Sequence, residues 1–201
     1  MKRFLDVCVS AAGLALLSPV LLGIAAAIII SDRGPALYRG QRLGRGGRTF
    51  RMLKFRTMTA GAPDVRNPDG STRSDPGDPR VTRVGRWLRR TSLDELPQLW
   101  NVLRGDMSLV GPRPDLPDQI QYYAQADHQR LAVRPGITGL AQVSGRNDIT
   151  WEQRRALDLQ YIALRSFRTD LAILRRTIPG VLRGRGVYSN KQTTGVHRDR
   201  D

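Results

Sequence analysis

A run of 24 residues, 7–30, carries no charged side chain and limits more than any other feature how this chain can fold. As a straight helix of about 1.5 Å per residue it would be ~36 Å long, enough to cross a hydrocarbon core of ~30 Å. Pro19 lies near its middle, directly after Ser18. A proline inside a helix removes a backbone hydrogen bond, and a serine hydroxyl can satisfy the freed carbonyl. The sequence therefore predicts a break at Ser18-Pro19.

Basic residues stand on both sides of this apolar run. Lys2 and Arg3 precede it, and six arginines follow between positions 33 and 51. Because positive charges beside a membrane segment favour the cytoplasmic side, both ends are expected on one face. A helix over residues 1–33 that enters the membrane, breaks at Ser18-Pro19 and returns meets this condition.

Two other arrangements of the run stay open. A cleavable signal peptide would use the basic start and the alanines at 25–27 as its cleavage site. The run continues through isoleucines at 28–30, however, and Asp6 interrupts the basic start, and both features argue against cleavage. The other alternative is an ordinary helix that spans the membrane once.

The charge of the whole chain indicates an anionic partner. Its 201 residues include 33 Lys and Arg against 18 Asp and Glu, a formal net charge of +15. Nucleic acid, phospholipid headgroups and phosphorylated substrates all fit such a charge. The single cysteine, Cys8, excludes an intramolecular disulfide, and with only His128 and His197 besides, no Cys/His zinc cluster can form. Secreted disulfide scaffolds and zinc-finger DNA readers are therefore excluded.

The remaining sequence predicts an α+β fold that is mostly helical. Residues 37–57 are typical of a small basic β-hairpin, with glycines at 44, 46 and 47 in the turn. The proline- and aspartate-rich stretch 61–79 is predicted to be a loop. A short helix should begin close to position 94 and stop at Gly105, because apolar residues recur there at helical spacing, namely Leu96, Leu99, Trp100 and Leu103.

Two further helices are predicted toward the C-terminus. Thr150 and Gln153 have the spacing of a capping box, which opens a helix to about Arg168. Beyond it, apolar residues and arginines fall on opposite sides of a helix, as in an amphipathic helix lying in a headgroup layer. A surface helix packed on the core fits the same pattern. The residues concerned are Leu171, Leu174, Ile178 and Val181 on one side and Arg175, Arg176, Arg183 and Arg185 on the other.

The adjacent carboxylates Asp94 and Glu95 are the candidates for chemistry. At the start of a helix, free backbone amides and the helix dipole can hold a phosphate and keep a carboxylate ionised. An ionised aspartate there could coordinate magnesium, or attack phosphorus to give an acyl phosphate. The alternative is structural, since acidic residues stabilise a first helical turn and Ser92 with Glu95 has capping-box spacing.

Basic residues that could bind phosphate accompany this pair. They are Lys54, Arg56, Arg80, Arg83, Arg89, Arg90 and Arg113. A single arginine is usually a solvated surface charge, but together with an acidic pair and a membrane segment these residues indicate clamps for a transferring phosphoryl group. The sequence has no P-loop, no G-x-S-x-G elbow and no Rossmann glycine spacing. Kinase, hydrolase and dehydrogenase functions therefore have no support.

Six blocks of the sequence carry a resemblance to a known family. They are residues 54–58, 78–82, 92–99, 105–114, 134–139 and 145–147. These blocks resemble the monotopic bacterial phosphoglycosyl transferases, also called the bacterial sugar transferase family, in its smallest form. The resemblance extends over about residues 2–177, and the stretch 78–114 is its most specific part.

The resemblance implies a reaction and roles for residues. A sugar-1-phosphate passes from a UDP-sugar to a polyprenol phosphate such as undecaprenyl phosphate, UMP is released, and a bacterial exopolysaccharide, lipopolysaccharide or other glycoconjugate is begun. Asp94 is implied as the nucleophile that takes the phosphosugar covalently, Glu95 as a base, and Mg²⁺ near Asp94 as the ion that neutralises the diphosphate. Lys54, Arg89 and Arg113 match family positions around the phosphates, and the predicted phosphate-binding residues are these three together with Arg56, Arg80 and Arg146.

Together these observations predict three segments: a re-entrant membrane helix over 1–33, a cytoplasmic catalytic domain over 34–186 and a tail over 187–201 of unassigned role. We expect the protein on the cytoplasmic face of the bacterial inner membrane, in contact with lipid and without nucleic acid, and leave oligomerisation open. The alternative function is that of a membrane-anchored basic nucleic-acid-binding protein. An aromatic content of 6% and the lack of a helix-turn-helix, RNP-like or zinc signature argue against it.

Overall fold

The computed structural model describes residues 2–66, 75, 77–145 and 148–182. Arg146, residues 67–74 and 76 of the predicted loop, Arg183, Arg185 and the predicted tail over 187–201 lie outside these residues. Within them the fold is mostly helical with two small two-stranded sheets.

The first helix, α1, extends over Lys2–Asp32, and Pro19 lies inside it. It is long and apolar enough to cross a membrane by length and composition. Pro19 has no N–H to donate to the carbonyl of Ala15, four residues earlier. The hydroxyl of Ser18 donates to that carbonyl instead, at 2.8 Å. The helix is continuous through Ser18-Pro19, so the predicted break is not confirmed, and a re-entrant path stays a prediction.

Both ends of α1 pack against the rest of the protein, while its middle is exposed. Near the start, the Asp6 carboxylate accepts hydrogen bonds from the Ser108 hydroxyl at 2.8 Å and the Leu109 amide at 3.1 Å. Near the end, Ile24 and Ile28 are buried in a hydrophobic cluster. Between these contacts Leu16 is 80% exposed.

The predicted β-hairpin is confirmed. Strands β1 (Leu37–Leu43) and β2 (Thr49–Phe55) are antiparallel, with Leu37 opposite Phe55. The turn between them is a 3-10 segment, Arg45–Gly47, in which Gly46 and Gly47 have φ of 70° and 74°. This left-handed backbone favours glycine, because other residues carry a Cβ that is strained there.

The region around the acidic pair consists of two helices joined by a 3-10 turn. Helix α2 covers Arg83–Thr91, and its first turn is capped by the Thr82 hydroxyl, which accepts from the Gly85 amide at 2.9 Å. The 3-10 turn covers Leu93–Glu95 and helix α3 covers Gln98–Arg104. The predicted helix from about position 94 to Gly105 is thus present, but it is divided into the 3-10 turn and α3.

The C-terminal half is built on a second sheet. Strand β3 (Ser108–Val110) is parallel to β4 (Gly136–Thr138), and two 3-10 segments, Pro117–Tyr122 and Gln125–Ala132, lie between them in sequence. Helix α4 (Leu140–Ser144) follows β4.

Helices α5 (Trp151–Ala163) and α6 (Phe167–Leu182) complete the described fold. The Thr150–Gln153 capping box is confirmed. The predicted end of this helix, at about Arg168, is wrong, because α5 ends at Ala163. The Ser166 hydroxyl accepts from the Thr169 amide, and α6 begins directly after it. Helix α6 buries Ile173 and leaves Ile178 64% exposed. An interfacial position for it stays a prediction.

Candidate active site

Four predicted residues lie together in one charge cluster, which we define as Lys54, Asp94, Glu95 and Arg113. Lys54 Nζ is 2.8 Å from Glu95 Oε1 and 4.0 Å from Asp94 Oδ2. Arg113 Nη2 is 3.0 Å from the same Glu95 oxygen. Two cations thus share one carboxylate, and a second carboxylate stands beside them.

Close packing of α2 on Thr57, which follows β2, holds the acidic pair near Lys54. A Cβ at Gly85 would lie 2.0 Å from the backbone carbonyl oxygen of Thr57, so only glycine permits this approach. Arg89, one turn later on α2, donates from Nε to the Thr57 hydroxyl at 2.9 Å. The turn Leu93–Glu95 then follows at the end of the helix.

Asn101 of α3 fixes the other side of the pair against β2. Its amide nitrogen donates to the Arg51 carbonyl at 2.8 Å, and its amide oxygen accepts from the Leu53 amide at 2.9 Å. Asn101 is 1% exposed, and because a buried amide needs partners, it holds α3 to the strand that carries Lys54. Sequence reasoning missed this residue, although a polar side chain inside a short apolar helix is a signal for such a role.

The two acidic side chains have opposite pKa shifts. Burial raises the pKa of Asp94, the Lys54 charge opposes that rise, and the Glu95 charge adds to it. Burial alone would also raise the pKa of Glu95, but the charges and hydrogen bonds of Lys54 and Arg113 outweigh burial and hold it well below its usual range. Glu95 is therefore a fixed anion, while Asp94 is the more basic carboxylate and the better candidate nucleophile.

The capping box considered for Ser92 and Glu95 does not form. Ser92 has a left-handed backbone, with φ of 56°, and its side chain makes no capping hydrogen bond to the turn. The Glu95 carboxylate is bound by Lys54 and Arg113 instead. The structural explanation of the acidic pair therefore does not account for Glu95.

Among the other predicted phosphate-binding residues that the structure describes, Arg89 acts on the cluster, because its charge opposes part of the rise in the pKa of Asp94 that burial causes. Arg56 forms an ion pair with Asp32 and donates to the Pro35 carbonyl, which ties the end of α1 to the end of β2. Arg80 is paired with Asp78, with Nη2 2.6 Å from Oδ2. The structure thus gives Arg56 and Arg80 carboxylate partners outside the charge cluster.

A buried network behind Arg113 was not predicted. Arg130 lies between the carboxylates of Asp115 and Asp158 and donates to the Arg113 carbonyl at 3.2 Å. The Tyr123 hydroxyl donates to Asp115 at 2.8 Å. We call these four side chains, Asp115, Tyr123, Arg130 and Asp158, the Arg130 network. It fixes the backbone from which Arg113 reaches Glu95.

Two more cations stand near Arg113 that sequence reasoning did not single out. The pKa of Arg42 is lowered by burial and by the charge of Arg113, and the pKa of Arg154 is lowered by the same two causes. Their positions, at the end of β1 and in the first turns of α5, are far apart in sequence. Only the fold brings them to Arg113, so no local signal could have found them.

A divalent ion fits this site only together with a phosphorylated substrate. Among the described residues no group of three or more His, Cys, Asp or Glu side chains could hold a metal. Asp94 offers one carboxylate, since Glu95 is bound by two cations. Mg²⁺ is commonly held by one or two carboxylates and substrate phosphates, with waters completing its shell. Asp94 satisfies the protein's part of that requirement.

Comparison with known proteins gives consistent matches over most of the chain. A family model described as Bacterial sugar transferase matches residues 1–184. The exopolysaccharide production protein ExoY of Rhizobium meliloti is 46% identical over 198 residues, which cover 93% of this chain and 88% of that protein.

Two other relatives have names that state a reaction. The UDP-glucose:undecaprenyl-phosphate glucose-1-phosphate transferase of Caulobacter vibrioides is 47% identical over 197 residues, 93% of this chain and 72% of that protein. The undecaprenyl-phosphate galactose phosphotransferase of Salmonella typhimurium is 42% identical over 199 residues, 94% of this chain and 42% of that protein.

Proposed function

The chain belongs to the bacterial sugar transferase family, and on that premise we propose that it transfers a sugar-1-phosphate from a UDP-sugar to undecaprenyl phosphate. The names of relatives that are 42% and 47% identical support this reaction. The family assignment favours a transferase over the nucleic-acid-binding alternative. The product would be the first lipid-linked sugar in the assembly of an exopolysaccharide or other bacterial glycoconjugate.

The observation that carries a covalent mechanism is that Glu95 is bound by two cations, which hold its pKa low, whereas burial raises the pKa of Asp94. In the first step, an Asp94 carboxylate oxygen attacks the phosphorus that bears the sugar. A bond from Asp94 to phosphorus forms, the bond from that phosphorus to the UMP oxygen breaks, and UMP leaves with the electron pair. Lys54 and Arg113 stand where they can stabilise the charge that develops on the phosphoryl oxygens.

In the second step, a phosphate oxygen of the polyprenol phosphate attacks the same phosphorus. The bond from phosphorus to Asp94 breaks, the carboxylate is restored, and a polyprenol diphosphate sugar leaves. Glu95 would accept the proton of a singly protonated acceptor phosphate. Because Lys54 and Arg113 hold the pKa of Glu95 low, it can do so only when the incoming phosphate draws these cations toward itself.

Magnesium is the proposed cofactor, with Asp94 as its protein ligand. The ion would neutralise charge on the diphosphate of the nucleotide sugar. The protein's own cations near Asp94, Lys54 and Arg113, would bind the remaining phosphate oxygens.

We also propose that α1 enters the membrane from the cytoplasmic face and returns to it. The contacts of Asp6 with β3 and of Ile28 with α2 and β2 place both ends of the helix on the same folded domain. Its apolar middle, which is exposed, would lie in the lipid.

Accessibility to a membrane-impermeant thiol reagent in sealed vesicles tests this arrangement. Cys8 is the only cysteine, so Phe4→Cys and Arg33→Cys are made in a Cys8→Ser background. Labelling of both positions from the same side is expected. Labelling from opposite sides would show a helix that spans the membrane once.

The transferase reaction is tested with a panel of UDP-sugars labelled in the sugar, undecaprenyl phosphate and Mg²⁺. Without acceptor, the wild-type protein and Glu95→Gln should retain label on the protein, and Asp94→Asn should not. The UMP release of Asp94→Asn should fall at least ~1,000-fold. Asp148→Asn removes an exposed carboxylate and serves as the matched control. UMP release that survives Asp94→Asn unchanged would exclude Asp94 as the nucleophile.

A further inference from the structure

An apolar groove lies between the second half of α1 and α2. It has a volume of about 530 Å³ and is lined by Val20, Gly23, Ile24 and Ala27 of α1 and by Arg83, Val84 and Trp87 of α2. Pockets that hold small molecules commonly measure roughly 300–1,000 Å³ and are mainly apolar with a few polar groups. Arg83 is the one charged residue of the lining.

The groove is continuous with the exposed apolar side of α1. Val20, which lines it, is 48% exposed, and Leu16, one turn earlier, is 80% exposed. A ligand with a long hydrocarbon chain could therefore occupy the groove and extend along α1 among the lipid tails. A water-soluble ligand would find no further partner in that direction.

The hydrophobic residues beneath the groove also pack beside the residues of the charge cluster. Ile24 belongs to a hydrophobic cluster with Phe55 and Leu88, against which Leu93 packs. Phe55 directly follows Lys54, and Leu93 directly precedes Asp94. Helix α2 connects the two sites. Its nine residues extend over about 13 Å, from Arg83 at the groove to Thr91. Asp94 follows three residues after Thr91.

We propose that this groove binds the isoprenoid chain of the polyprenol phosphate acceptor. An amphiphile with one apolar chain and one phosphate matches an apolar groove that opens toward lipid, carries one arginine and is connected through α2 to the charge cluster, where Lys54 and Arg113 can bind phosphate. Arg83 attracts the phosphate as the acceptor enters from the membrane, and the seated chain limits where that phosphate can reach. The inference rests on the proposed function, because that function supplies the acceptor.

Gly23 provides a direct test, because a Cβ at this position would meet nothing within 4 Å. Gly23→Leu therefore adds side-chain volume to the lining of the groove at a position where its Cβ meets no neighbour. Ala15→Leu adds the same side chain to an exposed position of α1 outside the groove and is the matched control. Both substitutions replace a small residue in the same helix, so an effect confined to Gly23→Leu reports occupancy of the groove.

Trp87 lines the groove and supplies a binding signal that does not depend on catalysis. The full chain, with Trp100→Phe and Trp151→Phe so that Trp87 is the remaining tryptophan, is placed in nanodiscs of neutral phospholipid and titrated with undecaprenyl phosphate. We expect a saturable change in Trp87 fluorescence, with affinity weakened at least tenfold in Gly23→Leu and changed less than twofold in Ala15→Leu. Equal affinity in Gly23→Leu and its parent would overturn the proposal.

Titration with phosphatidylglycerol separates the acceptor from an ordinary membrane lipid. The same fluorescence change at the same concentration of this phospholipid would overturn the proposal by making the groove a general lipid site. Steady-state kinetics distinguish a failure of the groove assignment from a failure of the proposed function. If no UDP-sugar is consumed but the binding difference persists, the function fails and the groove assignment stands. If transfer occurs with an unchanged acceptor KM in Gly23→Leu, the function stands and the groove assignment fails.

Discussion

Replacing Lys54 with methionine should move the acid limb of the pH profile upward. Lys54 Nζ lies 4.0 Å from Asp94 Oδ2, and the two side chains are 17% and 12% exposed. Unit charges at 4 Å interact by about 4 kcal/mol at an effective dielectric constant of 20. An interaction of this size between two largely buried groups is strong enough to influence the ionisation of Asp94.

The sign follows from the role of Lys54 in the cluster. Its positive charge opposes the rise in the Asp94 pKa that burial causes, so its removal raises that pKa further. A protonated carboxyl cannot attack phosphorus, and the enzyme then needs a higher pH to ionise Asp94. We expect the acid limb of the Lys54→Met variant to lie at a clearly higher pH than that of the wild type.

The measurement is kcat/KM for the UDP-sugar against pH, because this ratio reports ionisations of the free enzyme. Arg45→Met, which removes one charge from the exposed hairpin turn, is the control and should leave the limb in place. If Lys54→Met lowers the rate at every pH but leaves the limb within about half a unit of wild type, Asp94 is not the titrating nucleophile and the reasoning is wrong.

Three further predictions concern stability, measured as denaturant unfolding in detergent. Gly85→Ala places a Cβ 2.0 Å from the Thr57 carbonyl oxygen and should cost about 1–3 kcal/mol and reduce activity as α2 shifts; unaltered stability would show that α2 can move without strain. Leu88→Ala, at a side chain with 0% exposure, should cost about 2–5 kcal/mol. Arg130→Met leaves two buried carboxylates without their cation and should cost about 3–5 kcal/mol; adding Asp158→Asn should restore part of this, and no recovery would argue against the pairing.

Sequence predicted the features that neighbouring residues determine. Gly46 and Gly47 supply the left-handed backbone of the hairpin turn, and Thr150 with Gln153 caps α5, because the interacting groups lie within a few residues. Helix α6 was predicted, but its start at Phe167 was placed too late, after Arg168. Its capping hydroxyl lies inside a stretch whose composition suits a continuous helix, so the short capping signal was overlooked.

Partners that are distant in sequence could not be assigned. Basic residue type alone predicted Arg56 as a phosphate ligand, but the fold gives it Asp32 as a partner, 24 positions away. Lys54 meets Glu95 across 41 positions; the predicted function had placed both near the transferred phosphate, and that role stays a prediction. Residue type indicates which charges need a partner, whereas the tertiary structure decides which partner each one finds.

The apolar stripe predicted near the acidic pair also shows that the sequence did not reveal which groups a helix face contacts. Its spacing correctly indicated a helix, but the buried side of α3 carries Gln98, Asn101 and Val102, and Trp100 is 51% exposed. Asn101 turns that side toward β2 through its hydrogen bonds to the strand. Helical spacing identifies an apolar face but does not reveal whether that face meets the core, another helix or lipid.

The contact between Asp6 and β3 has a consequence for how the protein is made. Asp6 is 5% exposed, and its partners Ser108 and Leu109 follow it by about a hundred residues. Translation at about 5–20 residues per second delivers them roughly 5–20 s after Asp6. During that interval the start of α1 carries a carboxylate without its final partners, and such a group resists entry into hydrocarbon. The N-terminal helix should therefore reach its final position late in synthesis, after β3 has emerged.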